Sequence, residues 1–214
     1  MPAKGASSKP FELIAGHAAL DFVNTLDDRF AEGGPAERLA GYDDLSRFVR
    51  QAEVMTERQY RELKTLAVSS EARSAVLAEA LRLREALAAV LYAALEKREP
   101  AKDALKELEA LLKRAADERS LTRSSSAGGA SSLELHWEYK NVARKIQAPV
   151  WLLAQAAEDL LTSPQAARVR RCASSTCQWL FLDTSKNHTR RWCDMKICGN
   201  RNKVRRFQLR QSAG

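Results

Sequence analysis

The sequence of 214 residues lacks the features of a membrane or secreted protein. No apolar run approaches the roughly 20 residues that a helix needs to cross a bilayer, and the N-terminus carries no apolar stretch typical of a signal peptide. We therefore expect a cytoplasmic protein that does not contact a membrane. The motifs G-x-S-x-G, G-x-G-x-x-G, H-E-x-x-H and the P-loop are also missing, so nothing in the sequence indicates an enzyme.

Cysteine is scarce, and acidic residues are scarce at one end of the chain. The four cysteines all lie between positions 172 and 198. The last 50 residues contain 12 Lys/Arg and two Asp/Glu, a net charge of +10, whereas the preceding 164 residues have a net charge of −2. This asymmetry indicates that the C-terminal segment meets a polyanion.

The part of the chain before the cysteines is dominated by helical patterns. After a tail at residues 1–10 that we expect to be disordered, residues 11–164 predict a mainly α-helical domain. Asp43 or Asp44 is predicted to cap the second helix, and Thr56 opens a capping box, S/T-x-x-E/Q. The predicted helices lie at residues 20–26, 45–49, 56–66, 71–97, 102–116 and 148–162.

Two features of this domain depart from a plain helical pattern. Leu133, Leu135 and Trp137 alternate with polar residues, which predicts a β-hairpin with residues 121–123 across a flexible loop. Near the start of the domain, three polar side chains fall on one helix face and form either a ligand pocket or, as we favour, a capping cluster with satisfied hydrogen bonds. These residues are His17, Asp21 and Asn24.

The cysteines form two pairs with the same spacing, four residues within each pair and 15 between the pairs. Two short-spaced pairs suit a tetrahedral four-sulfur zinc site, whereas redox motifs use C-x-x-C and ferredoxin-type clusters use other spacings. We predict one structural Zn²⁺ per chain, held by Cys172, Cys177, Cys193 and Cys198. Four cysteine ligands leave no open position for catalysis.

The spacer between the cysteine pairs is long enough for a small hairpin. We expect residues 178–183 to form one strand and residues 189–192 the returning strand. A helix should follow Cys198, with Val204 and Phe207 packed on the hairpin. Residues 165–210 are thus predicted to form a small, treble-clef-like zinc module.

This segment resembles the CGNR zinc finger, and the part before it resembles the ABATE domain. The ABATE resemblance depends on Gly16 and on the stretch from Leu20 to Thr25. Together they imply a bacterial transcription regulator that responds to stress and whose finger binds DNA. His188 departs from the pattern, because a small residue such as Gly is common in that turn. The finger resemblance rests on Arg170, Phe181-Leu182-Asp183-Thr184-Ser185, Lys186-Asn187, Trp192-Cys193, Cys198-Gly199-Asn200-Arg201 and Lys203.

The basic residues of the module are the candidate contacts to DNA, mainly through its phosphates. Other roles remain open at this point. Arg171, Arg190 and Arg191 could offset the thiolate charge, and Asn200 and Arg201 could brace the second cysteine pair. The alternative function is a ligand- or protein-interaction module with a purely structural finger, and the N-terminal domain could bind an effector or form a homodimer. The candidate DNA contacts are Arg190, Arg191, Arg201, Lys203, Arg205, Arg206 and Arg210.

Overall fold

The computed structural model describes residues 10–123 and 134–211. In these two ranges the chain forms seven helices and six short strands, which confirms the mainly helical fold. No helix in the described part combines the length and the apolar composition that crossing a membrane requires. The helices are α1 (Ala18–Val23), α2 (Tyr42–Gln51), α3 (Glu57–Lys64), α4 (Ser70–Leu95), α5 (Lys102–Asp117), α6 (Ala148–Leu161) and α7 (Asn200–Gln211). The strands are β1 (Leu26–Asp27), β2 (Ala36–Glu37), β3 (Ser120–Arg123), β4 (Leu135–Glu138), β5 (Val169–Arg171) and β6 (Leu180–Leu182).

Helix α4 forms the centre of the helical domain. It begins after Ser69, whose hydroxyl accepts a hydrogen bond from the Ala72 N–H, and its 26 residues span about 39 Å. It packs against α5 and α6, while α1 and α2 also pack against α6. The helical period predicted an amphipathic helix here, because residues spaced three or four apart share one face. The buried positions of α4 include Val76, Ala80, Leu83, Leu87 and Leu91.

The predicted helix caps are confirmed in α3 and wrong in α2. Thr56 and Gln59 form the capping box that the sequence predicts. In α2, the N-cap residue is Gly41, and Asp43 and Asp44 lie in the first turn. The Asp44 carboxylate accepts hydrogen bonds from the Ala40 N–H and the Arg47 guanidinium, so it has partners that local spacing did not reveal.

A buried arginine fixes the β1–β2 ribbon against α4. The Arg84 side chain is 3% exposed, and its two terminal nitrogens donate to the Glu37 carboxylate at 2.7 and 2.6 Å. It also donates to the Thr25 hydroxyl at 3.1 Å. Bidentate pairing of this kind has a defined geometry, so the contact positions β2. Because β2 pairs with β1, it also positions β1, which contains Leu26. Leu26 was predicted to lie in the first helix, but α1 ends at Val23.

The predicted β-hairpin is formed by β3 and β4, which pair antiparallel with Leu121 opposite Trp137. Its connecting loop lies outside the described residues. The strand that the alternation predicted is present, but its apolar face is not buried. Leu121, Leu135 and Trp137 are 50%, 49% and 60% exposed. Residue alternation thus revealed the strand without revealing which face is solvated.

The cysteine-rich module shares its core with the helical domain. All three residues of β6 are buried, and β6 pairs with β5 on one side. On the other side, the Leu182 N–H donates to the Ala15 carbonyl at 2.7 Å. The Asn24 side chain accepts from the Leu180 N–H and donates to the Leu180 carbonyl, both at 2.9 Å. One buried amide therefore satisfies both backbone groups of a residue 156 positions away.

This contact yields a first prediction. In Asn24→Asp, the ionised carboxylate cannot donate to the Leu180 carbonyl, so the free energy of unfolding should fall by about 2 to 3 kcal/mol. Chemical denaturation at pH 7 measures this change. Lowering the pH should reduce the difference from the unmodified protein, because a protonated carboxyl regains a donor.

The matched control is Asn187→Asp, which makes the same chemical change at an exposed position of the finger. We expect it to alter the free energy of unfolding by no more than about 0.5 kcal/mol. Equal effects at positions 24 and 187 would contradict the structural role of Asn24.

Candidate zinc centre and basic helix

The first cysteine pair forms a tight turn directly after β5. The Cys172 N–H donates to the Trp179 carbonyl at 2.8 Å, which closes the turn. The Ser174 N–H points at the sulfur of Cys172, and the Trp179 N–H points at the sulfur of Cys177. Backbone donors thus surround both sulfur atoms, as expected of a zinc knuckle.

The second pair has a different local structure. Cys193 precedes Asp194, whose carboxylate accepts from the Ile197 N–H at 2.8 Å and caps a π-helical turn at Met195–Gly199. Cys198 lies in this turn. A Cβ at Gly199 would lie 2.6 Å from the Met195 sulfur, so the position requires glycine or a shift of Met195. The Asn202 amide donates to the Cys198 carbonyl at 2.9 Å and braces the turn from α7.

The four cysteine sulfurs converge on one point. All lie within 4.8 Å of one another, and the Cys193 sulfur is 3.6 Å from those of Cys177 and Cys198. A disulfide needs a distance of about 2.05 Å. A tetrahedral Zn²⁺ with Zn–S bonds of about 2.3 Å places its ligands about 3.8 Å apart. The residues therefore fit a structural zinc ion, with Cys172, Cys177, Cys193 and Cys198 as ligands.

Charge also favours a bound cation at this point. Hydrogen bonding to the Cys172 sulfur raises the pKa of the Cys177 and Cys193 thiols, and burial raises the pKa of the Cys198 thiol. Four thiolates cannot be held so closely without a compensating positive charge. Bound zinc would supply that charge, and chelation should cause the cysteines to take up protons.

The segment between the two pairs is not the predicted hairpin. Residues 189–192 form no strand in the described structure, and β6 pairs with β5 instead. The buried Asp183 carboxylate holds the loop by accepting hydrogen bonds from the N–H and hydroxyl of Ser185 and from the Arg190 N–H. These bonds, the Ser185 hydroxyl first, lower the pKa of Asp183. His188 has φ +49°, which explains why a small residue is common at that turn.

Three arginines that the sequence placed near the thiolates have other partners. The Arg190 guanidinium lies 4.6 Å from the centre of the Phe181 ring and donates to the carbonyls of Trp192 and Cys193. Arg171 pairs with Glu96 of the helical domain at 3.2 Å. Arg191 is exposed and lies 5.5 Å from the centre of the Trp192 ring. Arg190 therefore braces the second knuckle.

Helix α7 carries the remaining candidate DNA contacts. Arg201 and Lys203 are exposed, whereas the side chains of Arg205, Arg206 and Arg210 lie outside the described part. The prediction that Val204 packs on the hairpin is wrong, because Val204 is 56% exposed, and the side chain of Phe207 lies outside the described part. Asn200 is also exposed, and the brace that we expected from Asn200 or Arg201 comes from Asn202.

The polar side chains near the N-terminus form hydrogen bonds with the backbone, and two of them also line a cavity. His17 caps α1 by accepting from the Ala19 N–H at 3.2 Å, and burial lowers its pKa. Asp21 accepts from the Ala15 N–H at 2.9 Å, and Asn24 holds β6. Burial raises the pKa of Asp21 to about 6. Asp21 and Asn24 also line a cavity of about 220 Å³.

Trp179 connects this cavity to the finger, and local pattern did not reveal it. Its indole N–H donates to the Asp27 carboxylate at 2.9 Å, and the same carboxylate accepts from Arg38 at 2.8 Å. The Tyr92 hydroxyl donates to the neighbouring Gln178 carbonyl at 3.1 Å. The indole N–H of a partly buried tryptophan usually finds such a partner, but the sequence does not identify a partner 152 positions away.

Comparison with known families agrees with these two parts of the structure. The CGNR zinc finger model matches residues 168–211. The ABATE model, described as "putative stress-induced transcription regulator", matches residues 16–164. The chain belongs to the ABATE family and carries a CGNR zinc finger. No curated protein sequence matches it.

The zinc site predicts a metal-dependent fold of the finger. Cys193→Ser removes the ligand whose sulfur lies 3.6 Å from two others, so purified protein should contain less than about half an equivalent of zinc. Metal analysis of freshly purified protein measures this value. The control Lys186→Ser, in the exposed loop between the pairs, should keep about one equivalent. Full metal content in Cys193→Ser would contradict the assignment.

The buried Asp21 predicts a pH dependence of stability. Its pKa is raised from 3.8 to about 6 in the folded state, so between these values the folded state binds more protons than the unfolded state. The stability that the protonated Asp21 carboxyl contributes is therefore fully present below pH 3.8, and it is lost as the pH rises through 6. Relative to Asp21→Asn, the unmodified protein should lose about 1 kcal/mol per pH unit between pH 4 and 6, somewhat below the limit of about 1.4 for one full proton.

This pH dependence is measured by chemical denaturation at a series of pH values. The comparison with Asp21→Asn cancels the pH dependence of zinc binding, which both proteins share. Asp103→Asn, at an exposed position of α5, should keep the slope of the unmodified protein. Parallel curves for Asp21→Asn and the unmodified protein would contradict the raised pKa.

Proposed function

We propose that the protein is a transcription regulator that binds DNA through its zinc finger. The observation that carries this proposal is the composition and position of α7. The helix contains five Lys/Arg and no Asp/Glu, only Gly199 separates it from the zinc ligand Cys198, and its first basic residues, Arg201 and Lys203, are exposed. Positive charge is thus displayed on one rigidly attached element, which suits contact with phosphates.

The dimensions of α7 are compatible with a DNA groove. Its 12 residues span about 18 Å, and a major groove about 12 Å wide admits an α-helix. The π-helical turn and the zinc ion fix the start of the helix, and Asn202 ties its first turn to Cys198. A fixed orientation reduces the entropy that ordering the helix on DNA would cost.

We also propose that the helical domain receives the signal, by binding a small ligand or by dimerising, and that the protein has no catalytic role. The proposed zinc shell of four thiolates has no open coordination position. The helical domain contacts the finger through Asn24, Asp27 and Tyr92. A ligand bound there could therefore change the position of the finger.

A second candidate function is protein binding by a structural finger. It is favoured by exposed apolar side chains near the start of α7, since Met195, Ile197 and Val204 are 55%, 43% and 56% exposed. Contiguous apolar surface often marks a protein interface. The basic residues Lys196, Arg201 and Lys203 lie between and beside these side chains, so the same surface could serve either partner.

The DNA proposal predicts salt-dependent binding. Zinc-loaded protein should bind duplex DNA at about 50 mM salt and lose affinity as the salt concentration rises. Arg205→Ala combined with Arg206→Ala should reduce the slope of log affinity against log salt by about 2 and the affinity in 0.1 M salt by about 50-fold. Fluorescence anisotropy with labelled duplexes measures both quantities.

The control variant is Lys102→Ala combined with Lys106→Ala, which removes two exposed charges from α5. Because α5 packs on α4 and α6, this variant should keep both the affinity and the salt slope. Absence of binding by zinc-loaded protein at about 50 mM salt would overturn the proposal. A protein partner captured after nuclease treatment would favour the second candidate.

A further inference from the structure

The cavity between the helical domain and the finger has the mixed charged and aromatic lining of a small-molecule site. It measures about 220 Å³, below the roughly 300 Å³ at which pockets for drug-sized ligands begin. Residues 10–12, α1, β1 and Trp179 of the finger contribute to its wall. A ligand in this space must therefore be compact.

One part of the wall supplies carboxylates. Asp21 is only 7% exposed, and the Ala15 N–H donates to one of its oxygens. Among the described residues, Asp21 forms no ion pair. Burial without a cation raises the pKa of Asp21. Glu12, a second carboxylate of the wall, is exposed. An ammonium group beside Asp21 would supply the missing positive charge.

Another part of the wall supplies arginine donors. Arg38 donates through one nitrogen to the Asp27 carboxylate at 2.8 Å, and its side chain is 56% exposed. Since a guanidinium has five N–H donors, this contact leaves N–H groups that can donate to a ligand carboxylate. Arg47, which pairs with Asp44 at 2.7 Å and lies 4.9 Å from the centre of the Phe11 ring, also lines the cavity. The rings of Phe11 and Trp179 provide apolar surface for the body of a ligand.

The same cavity is directly connected to the zinc site. The Trp179 indole N–H donates to Asp27 at 2.9 Å, and the Trp179 carbonyl accepts from the Cys172 N–H at 2.8 Å. Asn24, which also lines the cavity, holds Leu180 one position further on. A ligand that orders Arg38 and Asp27 therefore also orders the first knuckle.

We propose that this cavity binds a small zwitterion of the α-amino-acid type. Its carboxylate pairs with Arg38, and its ammonium group pairs with Asp21. Both charged walls are then satisfied by one compact molecule, and its side chain lies against Phe11 or Trp179. This inference rests on the proposed ligand-sensing role of the helical domain and gives it a chemical class.

The experiment uses zinc-loaded, full-length protein and the standard amino acids as probes. Thermal unfolding is measured with each amino acid, and calorimetric titration then gives the Kd of those that stabilise the protein. At about ten times its Kd, a ligand should raise the Tm by about 3 °C for a chain of this size. Absence of such a shift with every amino acid would overturn the inference.

Two analogues of each binding amino acid test the zwitterion requirement. One lacks the carboxylate and the other lacks the amine, and each should bind at least about tenfold more weakly, since each leaves one charged wall unpaired. An analogue that binds as tightly as the amino acid itself would overturn the proposal, because one charged wall would then contribute nothing.

Variants of the wall locate the site. Arg38→Gln, at a mostly exposed side chain, should weaken binding about tenfold without unfolding the protein. Asp21→Asn should also weaken it, with Tm and zinc content measured to confirm the fold. The control Arg82→Gln, which removes an exposed arginine paired with Glu107, should bind with unchanged affinity. Unchanged binding by Arg38→Gln would overturn the assignment.

DNA binding is measured separately, on the same protein without amino acids. If the protein binds DNA but no amino acid, only the inference about the cavity is overturned. Amino-acid binding without DNA binding would overturn only the DNA proposal.

Discussion

The hydrogen-bonded contact between Asn24 and Leu180 is the interaction on which the arrangement of the two parts depends. An amide side chain is suited to this position because it both donates and accepts, as a neighbouring strand would. The Ala15 carbonyl continues the same edge by accepting from Leu182. The strand β6 is thereby enclosed on both sides, by β5 and by the start of the helical domain. Its residues Leu180, Phe181 and Leu182 can then be buried without unpaired backbone groups.

This enclosure changes the role of the zinc ion. A free module of about 45 residues would bury too little apolar surface and would depend on metal for its fold. Here the first knuckle follows β5 and precedes β6, so the shared core already fixes one half of the site. The second knuckle depends more on local bonds, namely those of Asp183, Asp194 and Arg190. Zinc joins the half that is fixed by the core to the half that carries α7.

Sequence patterns predicted the features whose causes are local. The helical period predicted α4 and α5, the Thr56–Gln59 spacing predicted a cap, and paired cysteine spacing predicted the metal site. The prediction of a returning strand at residues 189–192 was wrong because the Asp183 carboxylate accepts hydrogen bonds from the loop backbone. The prediction that Val204 is packed was wrong because an apolar residue at helical spacing need not face a core. The contacts of Asn24 and Trp179 could not be predicted, since each joins residues more than 150 positions apart.

The two knuckles of the finger therefore have different roles. The first knuckle, through Trp179 and Leu180, contacts the helical domain and its cavity, whereas the second knuckle holds the basic helix. A signal received by the helical domain would reach α7 through the sulfur–zinc bonds and the backbone between Cys177 and Cys193. Because a structural zinc ion keeps all four ligands, a displacement of the first knuckle would move the second with it. Bound zinc would thus connect the direction of α7 to the packing around Asn24 and Asp27.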